Sequence, residues 1–368
     1  MKPHLRIVVV TNLWPSRRRP AWGCFVANRV EALRQLGHDV EVVAVEDHPS
    51  AARRYASLLA GVGRAALSRR PVQPTVVEAH IAYPTGPLAW PLAVRLGAPL
   101  VLFAHGSDVL RLPDRSPVDR ALCRFVFGRA SLVVANSTFL AGEVERRLGV
   151  PPERVALVSP GIRYADFAAA REAVRREDHL LFVANLIPRK GLDVLLDALA
   201  ELGRRSEEVP PLRVVGDGPE RATLEEQARR TGARVEFVGA LPQERVAAEM
   251  AAAEILVVPS REEALGLAPL EAMAAGCVPV VSGIGGLAES VTDGVTGFTC
   301  RPEDPGDLAD ALVRALNAVR DADRRAALVR AGDEVARQHD MVAAAERTVH
   351  HYVSLLGLPA ATRHQVAG

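Results

Sequence analysis

Two carboxylates eight positions apart open the chemical reading of this 368-residue chain. Glu263 and Glu271 lie in Ser260-Arg-Glu-Glu-Ala-Leu-Gly-Leu-Ala-Pro-Leu-Glu-Ala-Met-Ala-Ala-Gly276. The apolar run Ile255–Val258 leads in as a strand, Gly266 lets the backbone approach a ligand, and Pro269 suits the first turn of a helix starting near Ala268. Unpaired amides at that start, around Leu267 and Ala268, would face an anion such as a diphosphate. Glu263 in the loop could then accept hydrogen bonds from sugar hydroxyls, and Glu271 those of a ribose diol. Carboxylates are also favoured near helix N-termini for purely structural reasons, so on these residues alone both readings stay open.

A second group lies in Leu186-Ile-Pro-Arg-Lys-Gly191. Lys190 is one of only two lysines among 45 lysine and arginine residues. A compact ammonium at a strand-to-helix junction can neutralise phosphates and then a leaving group, although a surface lysine would look the same. Gly216-Asp-Gly-Pro219 opens another helix after a strand, a weak phosphate-binding signal by itself. Near the start, Thr11-Asn-Leu-Trp-Pro-Ser-Arg-Arg-Arg-Pro-Ala-Trp-Gly23 forms a long loop at the carboxyl end of a strand, the edge where open α/β sheets bind ligands. Gly23 there would admit a donor phosphate or hexose to the backbone. Arg17, Arg18 and Arg19 could guide an anionic acceptor or be solvated loop charges. His105, in Phe103-Ala-His-Gly-Ser-Asp108, follows an apolar strand and could hydrogen-bond a ligand or be structural. His80 and Ser137, each at a strand end, are further acceptor-side candidates.

The Glu263–Glu271 segment resembles the E-x7-E signature of retaining GT-B glycosyltransferases of family GT4. Pro259, Ser260, Glu263, Gly266, Leu267, Glu271, Ala272, Met273, Ala274, Gly276, Pro279 and Val280 match it, and Gly285-Gly-Leu-Ala-Glu289 and Asp293-Gly-Val-Thr-Gly297 continue the pattern. Ala264 and Leu265 depart from it, where the family carries glycine and an aromatic. The resemblance implies that Lys190 grips the donor diphosphate. Asn185 stands where the family has an arginine, and Arg189 either supplies the missing charge or points to solvent. It further implies that the turn at Gly216 borders the nucleotide, that the backbone at Gly239 and Leu241 reads the base, and that His105 contacts the transferred sugar. The run Gly23-Cys-Phe-Val to Val30-Glu-Ala-Leu33 is similar to the opening of GT4 enzymes of polysaccharide assembly. No metal is assigned and no cofactor beyond the sugar nucleotide is expected.

The elements that must position these groups follow from periodicity. Strand-like runs at Ile7–Val10, Val40–Val45, Val76–Ala79, Leu100–Phe103 and Leu132–Ala135 alternate with helical patterns around 26–36, 86–96, 117–127 and 138–148. The rhythm restarts with Leu180–Ala184, Arg213–Val215, Val235–Val238, Ile255–Val258 and Val278–Val281, separated by helices near 191–202, 219–230, 243–253 and 269–275. Helical spacing returns at Leu308–Val319 and about 342–357. The expected fold class is α/β, with two Rossmann-like domains that, by resemblance to GT-B enzymes, face an interdomain cleft. The acceptor-binding domain is placed at 1–165 and the nucleotide-sugar-binding domain at 166–341. A C-terminal helix within 342–368 is expected to cross back to the first domain, and 161–178, polar and alanine-rich, is expected to be a linker.

Composition excludes several classes. Apolar residues make up 49% of the chain, which argues against disorder, and no apolar run approaches the ~20 residues that span a bilayer. Ile7–Val10 is too short for the apolar part of a signal peptide. Cys24, Cys123, Cys277 and Cys300 are scattered without metal-ligand spacing, consistent with reduced thiols in the cytoplasm. Residues 1–165 hold 22 basic against 12 acidic side chains, net +10, whereas 166–368 hold 23 against 32, net −9. A positive first half suits an anionic acceptor, an acidic membrane surface or nucleic acid, and the opposite charges could equally attract the two halves to each other or be simply solvated. The expected partners are a sugar nucleotide, a hydroxyl-bearing acceptor and peripheral membrane contact, without nucleic acid. The resemblance to GT4 enzymes implies transfer of a hexose or N-acetylhexosamine from a nucleotide sugar to a hydroxyl-bearing acceptor. A sugar-phosphate synthase, a sugar-nucleotide epimerase and a catalytically idle sugar-nucleotide-binding protein remain as alternatives.

Overall fold

The computed structural model describes residues 3–16, 22–45, 48, 50–67, 73–205 and 207–359. The chain divides into two compact units, Met1–Gly161 with Met341–Gly368, and Ile162–Asp340. In the first, strands β1 (Arg6–Thr11), β2 (Asp39–Ala44), β3 (Thr75–His80), β4 (Leu100–Phe103), β5 (Leu132–Ala135) and β6 (Val155–Leu157) form a parallel sheet in the order β2-β1-β3-β4-β5-β6. Its helices are α1 (Cys24–Gln35), α2 (Ala51–Leu67), α3 (Gly86–Leu96), α4 (Ser107–Leu110), α5 (Leu112–Arg115), α6 (Pro117–Arg129) and α7 (Thr138–Leu148). Every residue of β1 and β3 is buried, as a parallel strand covered on both faces requires.

The second unit begins with α8 (Tyr164–Ala173) and carries strands β7 (Leu180–Val183), β8 (Leu212–Val215), β9 (Val235–Gly239), β10 (Ile255–Val258), β11 (Val278–Ser282) and β12 (Phe298–Cys300). These are parallel in the order β12-β11-β10-β7-β8-β9. Helices α9 (Leu192–Arg204), α10 (Arg221–Thr231), α11 (Gln243–Ala252), α12 (Leu267–Ala274), α13 (Leu287–Ser290), α14 (Pro305–Arg320) and α15 (Ala322–Gln338) complete it. Leu180 and Phe182 of β7 point into one core with α9 and α14, and Leu181 into another with residues of α8, α11 and α12, the alternation expected of a strand. The last helix, α16 (Met341–Leu355), belongs to the first unit, where Ala344, Ala345 and Tyr352 pack with Ile7, Val9, Val26 and Val30.

Both sheets reverse their strand order once, between β1 and β3 and between β7 and β10. Loops leaving such neighbours diverge and open a crevice at the carboxyl ends of the strands. The segment Thr11–Ser16 and the His80–Thr85 loop therefore flank one switch point, and the Ala184–Lys190 and Pro259–Gly266 loops the other.

Several expectations need correction. The segment 161–178 is not simply a linker, because Tyr164–Ala173 is helical and Phe167 is fully buried. Its alanines and arginines hid two large buried side chains, Ile162 and Phe167. Helices α2 and α15 and the three-residue strands β6 and β12 were also not foreseen. Phe167→Ala should lower the stability of the second unit by about 3–5 kcal/mol. Denaturant melts will measure this loss, whereas a residue in a linker would leave the transition unmoved.

Candidate active site

At the second switch point, Lys190 ends a short turn after β7 and Glu263 lies in the loop after β10, and their side chains form a direct ion pair. Both are only about one-fifth exposed. Arg261 holds the two loops together: its backbone N–H donates to the Arg189 carbonyl at 2.8 Å. Its guanidinium donates to both oxygens of Asp193 at 2.9 and 2.7 Å and to Glu303 at 2.7 Å. Such bidentate pairing fixes an arginine in orientation as well as position. The Arg189 guanidinium lies 4.0 Å from Glu262, and its Nε is enclosed without a hydrogen-bond partner among the described residues. Asn185 is exposed.

Helix α12 starts at Leu267, and no side chain caps it, so its first amides remain available to an anion. Gly266 has a φ of 81°, and a Cβ there would sit 2.4 Å from the Leu287 side chain, so it serves packing inside the protein as well as the turn. Leu267, Ala268 and Leu241 pack their side chains onto the adjoining core, leaving backbone as what they can offer. Gly216 and Gly239 close the ends of β8 and β9 through a 2.9 Å N–H···O bond. Glu271, one turn into α12, has no hydrogen-bond or ion-pair partner among the described residues, and burial pushes its carboxyl up to about 7.

In the first unit, His105 follows β4, with its backbone N–H donating to Asp108 at 3.0 Å. The other Asp108 oxygen accepts from Ala82 N–H at 3.1 Å, so one carboxylate sets the loops after β3 and β4 against each other. Burial raises the Asp108 carboxyl to about 6 despite those donors. His80 is not at the surface: it is 1% exposed, opposite Phe103 in the β3–β4 register and stacked on that ring. It meets His105 and Glu78 instead of solvent. Burial lowers the basicity of His80, and lowers that of His105 well below the ordinary imidazole range, with His80 adding to the effect.

Ser137 is also buried, and its hydroxyl accepts from Leu140 N–H as the N-cap of α7. Gly23 adopts a φ of 70°, and a Cβ there would come within 2.3 Å of the Leu13 carbonyl carbon. Its bare face is thus used by its own loop. Arg17, Arg18 and Arg19 lie outside the described residues. Glu78, Arg29, Asp108 and Arg261 were not assigned roles from sequence. Glu78 left the clearest trace, a charge in the middle of an apolar strand.

Among the described residues no group of three or more histidine, cysteine, aspartate or glutamate side chains could hold a metal ion. In the same residues no helix is long and apolar enough to cross a membrane.

Two parallel sheets, each with its ligand edge at a reversal of strand order, define a two-domain α/β protein of the GT-B type. Residues 25–165 match the family model described as Glycosyltransferase Family 4, and residues 166–335 that described as Glycosyl transferases group 1. The chain belongs to the GT4 family of glycosyltransferases. It is 34% identical over 303 residues to the D-inositol 3-phosphate glycosyltransferase 2 of Catenulispora acidiphila, covering 76% of this chain and 70% of that protein. It is 34% identical over 271 residues to the glycogen synthase of Mycobacterium tuberculosis, covering 70% and 64%. The chain spans about two thirds of the length of the curated relatives it matches. Among solved structures, the sucrose-phosphate synthase of Thermosynechococcus elongatus has a TM-score of 0.80 at 20% identity over 96% of this chain and 99% of that one. Anabaena HepE, solved with UDP-glucose, has a TM-score of 0.72 at 22% identity over 95% and 99%. Both share the fold.

The carboxyl of Glu271 generates a pH prediction. An unfolded glutamate titrates near 4.3 and this one near 7, so the folded state holds an extra proton between those values. Stability is therefore full below the lower value and falls as pH rises through the upper one. Glu271→Gln should raise the melting temperature over the parent at about pH 8 and leave it nearly unchanged at about pH 4. Thermal melts across that range will check both arms.

Proposed function

We propose that the protein transfers a hexose or N-acetylhexosamine from a nucleoside diphosphate sugar to an acceptor hydroxyl, with retention at the anomeric carbon. The observation that carries this reading is Lys190 paired with Glu263 at a sheet switch point, beside the uncapped start of α12. The Anabaena structures solved with UDP and UDP-glucose support the donor class, and retention rests on the family resemblance. In the reaction the anomeric carbon–oxygen bond to the diphosphate breaks and the acceptor oxygen bonds to that carbon. The hydroxyl proton leaves with the diphosphate or to solvent. Lys190 and the α12 amides stabilise the charge that builds on the leaving group, and this scheme calls for no bound metal. Glu263 accepts hydrogen bonds from the sugar, Glu271 from the ribose, and His105 contacts the transferred sugar. Without donor, Glu263 neutralises the Lys190 ammonium, and the phosphates take over that role on binding.

Lys190→Ala should lower kcat about 100–1,000-fold. Glu263→Ala should lose turnover and sugar-nucleotide affinity yet bind bare nucleoside diphosphate at least as tightly as the parent, because Lys190 is released. Glu271→Ala should weaken both ligands. Titration calorimetry distinguishes these outcomes, and identical behaviour of the two glutamate variants toward bare nucleotide would break the division of roles. Release of nucleoside diphosphate only when acceptor is present separates transfer from epimerisation.

The acceptor is, in this proposal, anionic or presented at an anionic membrane surface. Residues 1–165 carry the net +10, and among the described residues every exposed large apolar side chain except Val295 lies in the first unit. Helix α2 carries Tyr55 and Leu59, 42% and 55% exposed and one turn apart, beside Arg53 and Arg54, a pattern suited to an interfacial helix. Acceptor KM should rise with salt as surface attraction is screened. Changing Arg17, Arg18 and Arg19 together to Ser should reproduce that rise at low salt. Tyr55→Ser with Leu59→Ser should reduce co-sedimentation with phosphatidylglycerol vesicles. If both variants match the parent, a neutral, soluble acceptor becomes the better reading.

A further inference from the structure

Behind His105 lies a chain of buried polar groups that the reaction scheme does not use. Glu78 is fully buried and Arg29 is 4% exposed. Arg29 donates to both carboxylate oxygens, from Nη2 to Oε1 at 3.0 Å and from Nε to Oε2 at 3.2 Å. The Tyr352 hydroxyl of α16 donates to Oε1 at 2.6 Å and accepts from Arg29 Nη2 at 3.0 Å. Thr348, one turn earlier on α16, accepts from Arg29 Nη1 at 3.2 Å. Burial alone would raise the Glu78 carboxyl, but Arg29 beside it and the donated hydrogen bonds hold it at about 2. Glu78 is therefore ionised and can only accept.

The direction of every hydrogen bond beyond it then follows. His80 Nε2 lies 3.2 Å from Glu78 Oε2, so that nitrogen carries the proton. Burial keeps His80 neutral, which leaves a lone pair on Nδ1. His105 Nε2 sits 3.0 Å from that lone pair and must be the donor. His105, also neutral, is left with an unprotonated Nδ1, which has no hydrogen-bond partner among the described residues. We propose that Glu78 and His80 are positioning residues that lock His105 as its Nε2–H tautomer, so that it meets substrate with Nδ1 as an obligate acceptor for a sugar hydroxyl. The substrate half of this statement rests on the role proposed for His105 above. The tautomer half rests on the first unit alone. A protonated His80 would reverse the chain and make His105 a donor, and that is the alternative to be tested.

Heteronuclear NMR of the whole ligand-free chain, with nitrogen-labelled histidine and His80 and His105 assigned by substitution, reads the tautomers directly. We expect both rings neutral and protonated on Nε2 at about pH 7 to 8. An Nδ1–H on His105, or an imidazolium at His80, overturns the proposal whatever the enzyme's substrate is. His80→Gln keeps a donor toward Glu78 and an acceptor toward His105, and should preserve the His105 tautomer and most of the kcat. His80→Leu removes both, and should give mixed tautomers with kcat about 10–100-fold lower and nucleotide KM unchanged. Equal behaviour of two folded variants would reduce His80 to a packing role. For the substrate half, deoxyfluoro donors carry a group that cannot donate a hydrogen bond. One such position should lower kcat/KM in the parent with little further loss in His105→Ala. If no position couples to His105 while the tautomers are as expected, the sugar-contact role fails and the lock stands.

Discussion

A carboxylate cannot remain charged inside a parallel sheet unless the fold surrounds it with donors, and Glu78 imposes that condition on the first unit. Arg29 from α1, Tyr352 from α16 and His80 two residues along the same strand all converge on it. Breaking such a pair by removing one partner typically costs about 3–5 kcal/mol, because the survivor is left charged and unmatched. The same geometry stacks His80 on Phe103 and sets the Arg29 guanidinium 4.4 Å from the centre of that ring. The strand end that carries His80 is thus held by charge, hydrogen bonding and ring contacts together, and His105 inherits its orientation.

The second unit solves a different problem. Its candidate site groups sit on loops, which need external bracing to hold a geometry. Arg261 supplies it by tying the loop after β10 to Asp193 at the start of α9 and to the turn that presents Lys190. The ammonium of Lys190 is in turn matched by Glu263, so this half-buried cation is not left uncompensated. Glu271 is the exception. It is left unmatched and pushed up in pKa by burial, the kind of local destabilisation that recurs where a ligand is meant to complete the structure.

Much of this was legible in the sequence because parallel strands buried on both faces announce themselves as apolar runs. The runs at Ile7–Val10, Leu100–Phe103, Leu132–Ala135 and Ile255–Val258 became strands. Lys190 stood out through rarity, and Glu263 with Glu271 through spacing. What stayed hidden depends on contacts remote in sequence. Arg29 and Glu78 are 49 residues apart, and Glu78 and Tyr352 are 274 apart, so nothing local marks them as partners. His80 was placed at a strand end correctly, but its depth depends on Phe103 in the neighbouring strand and could not be read from its own surroundings. Helix α8 escaped because one phenylalanine, Phe167, anchors it among alanines and charged residues. Glycine invites a functional reading for the same reason it allows close packing, and at Gly23 and Gly266 the nearby atoms belong to the protein itself.

Helix α16 has a consequence for how the molecule comes into being. The first unit is discontinuous, assembled from the opening 161 residues and a segment starting at Met341. The second is a single unbroken stretch. On a ribosome, the sheet that leads into His105 is synthesised before the second unit, yet Tyr352 and the apolar face of α16 follow after it. Glu78 and Arg29 are both made long before their hydroxyl partners Thr348 and Tyr352, and the core around Ile7 and Val9 cannot be completed until Ala344, Ala345 and Tyr352 are available. The unit made second has all of its residues available first, so the order of synthesis and the order of completion run opposite ways.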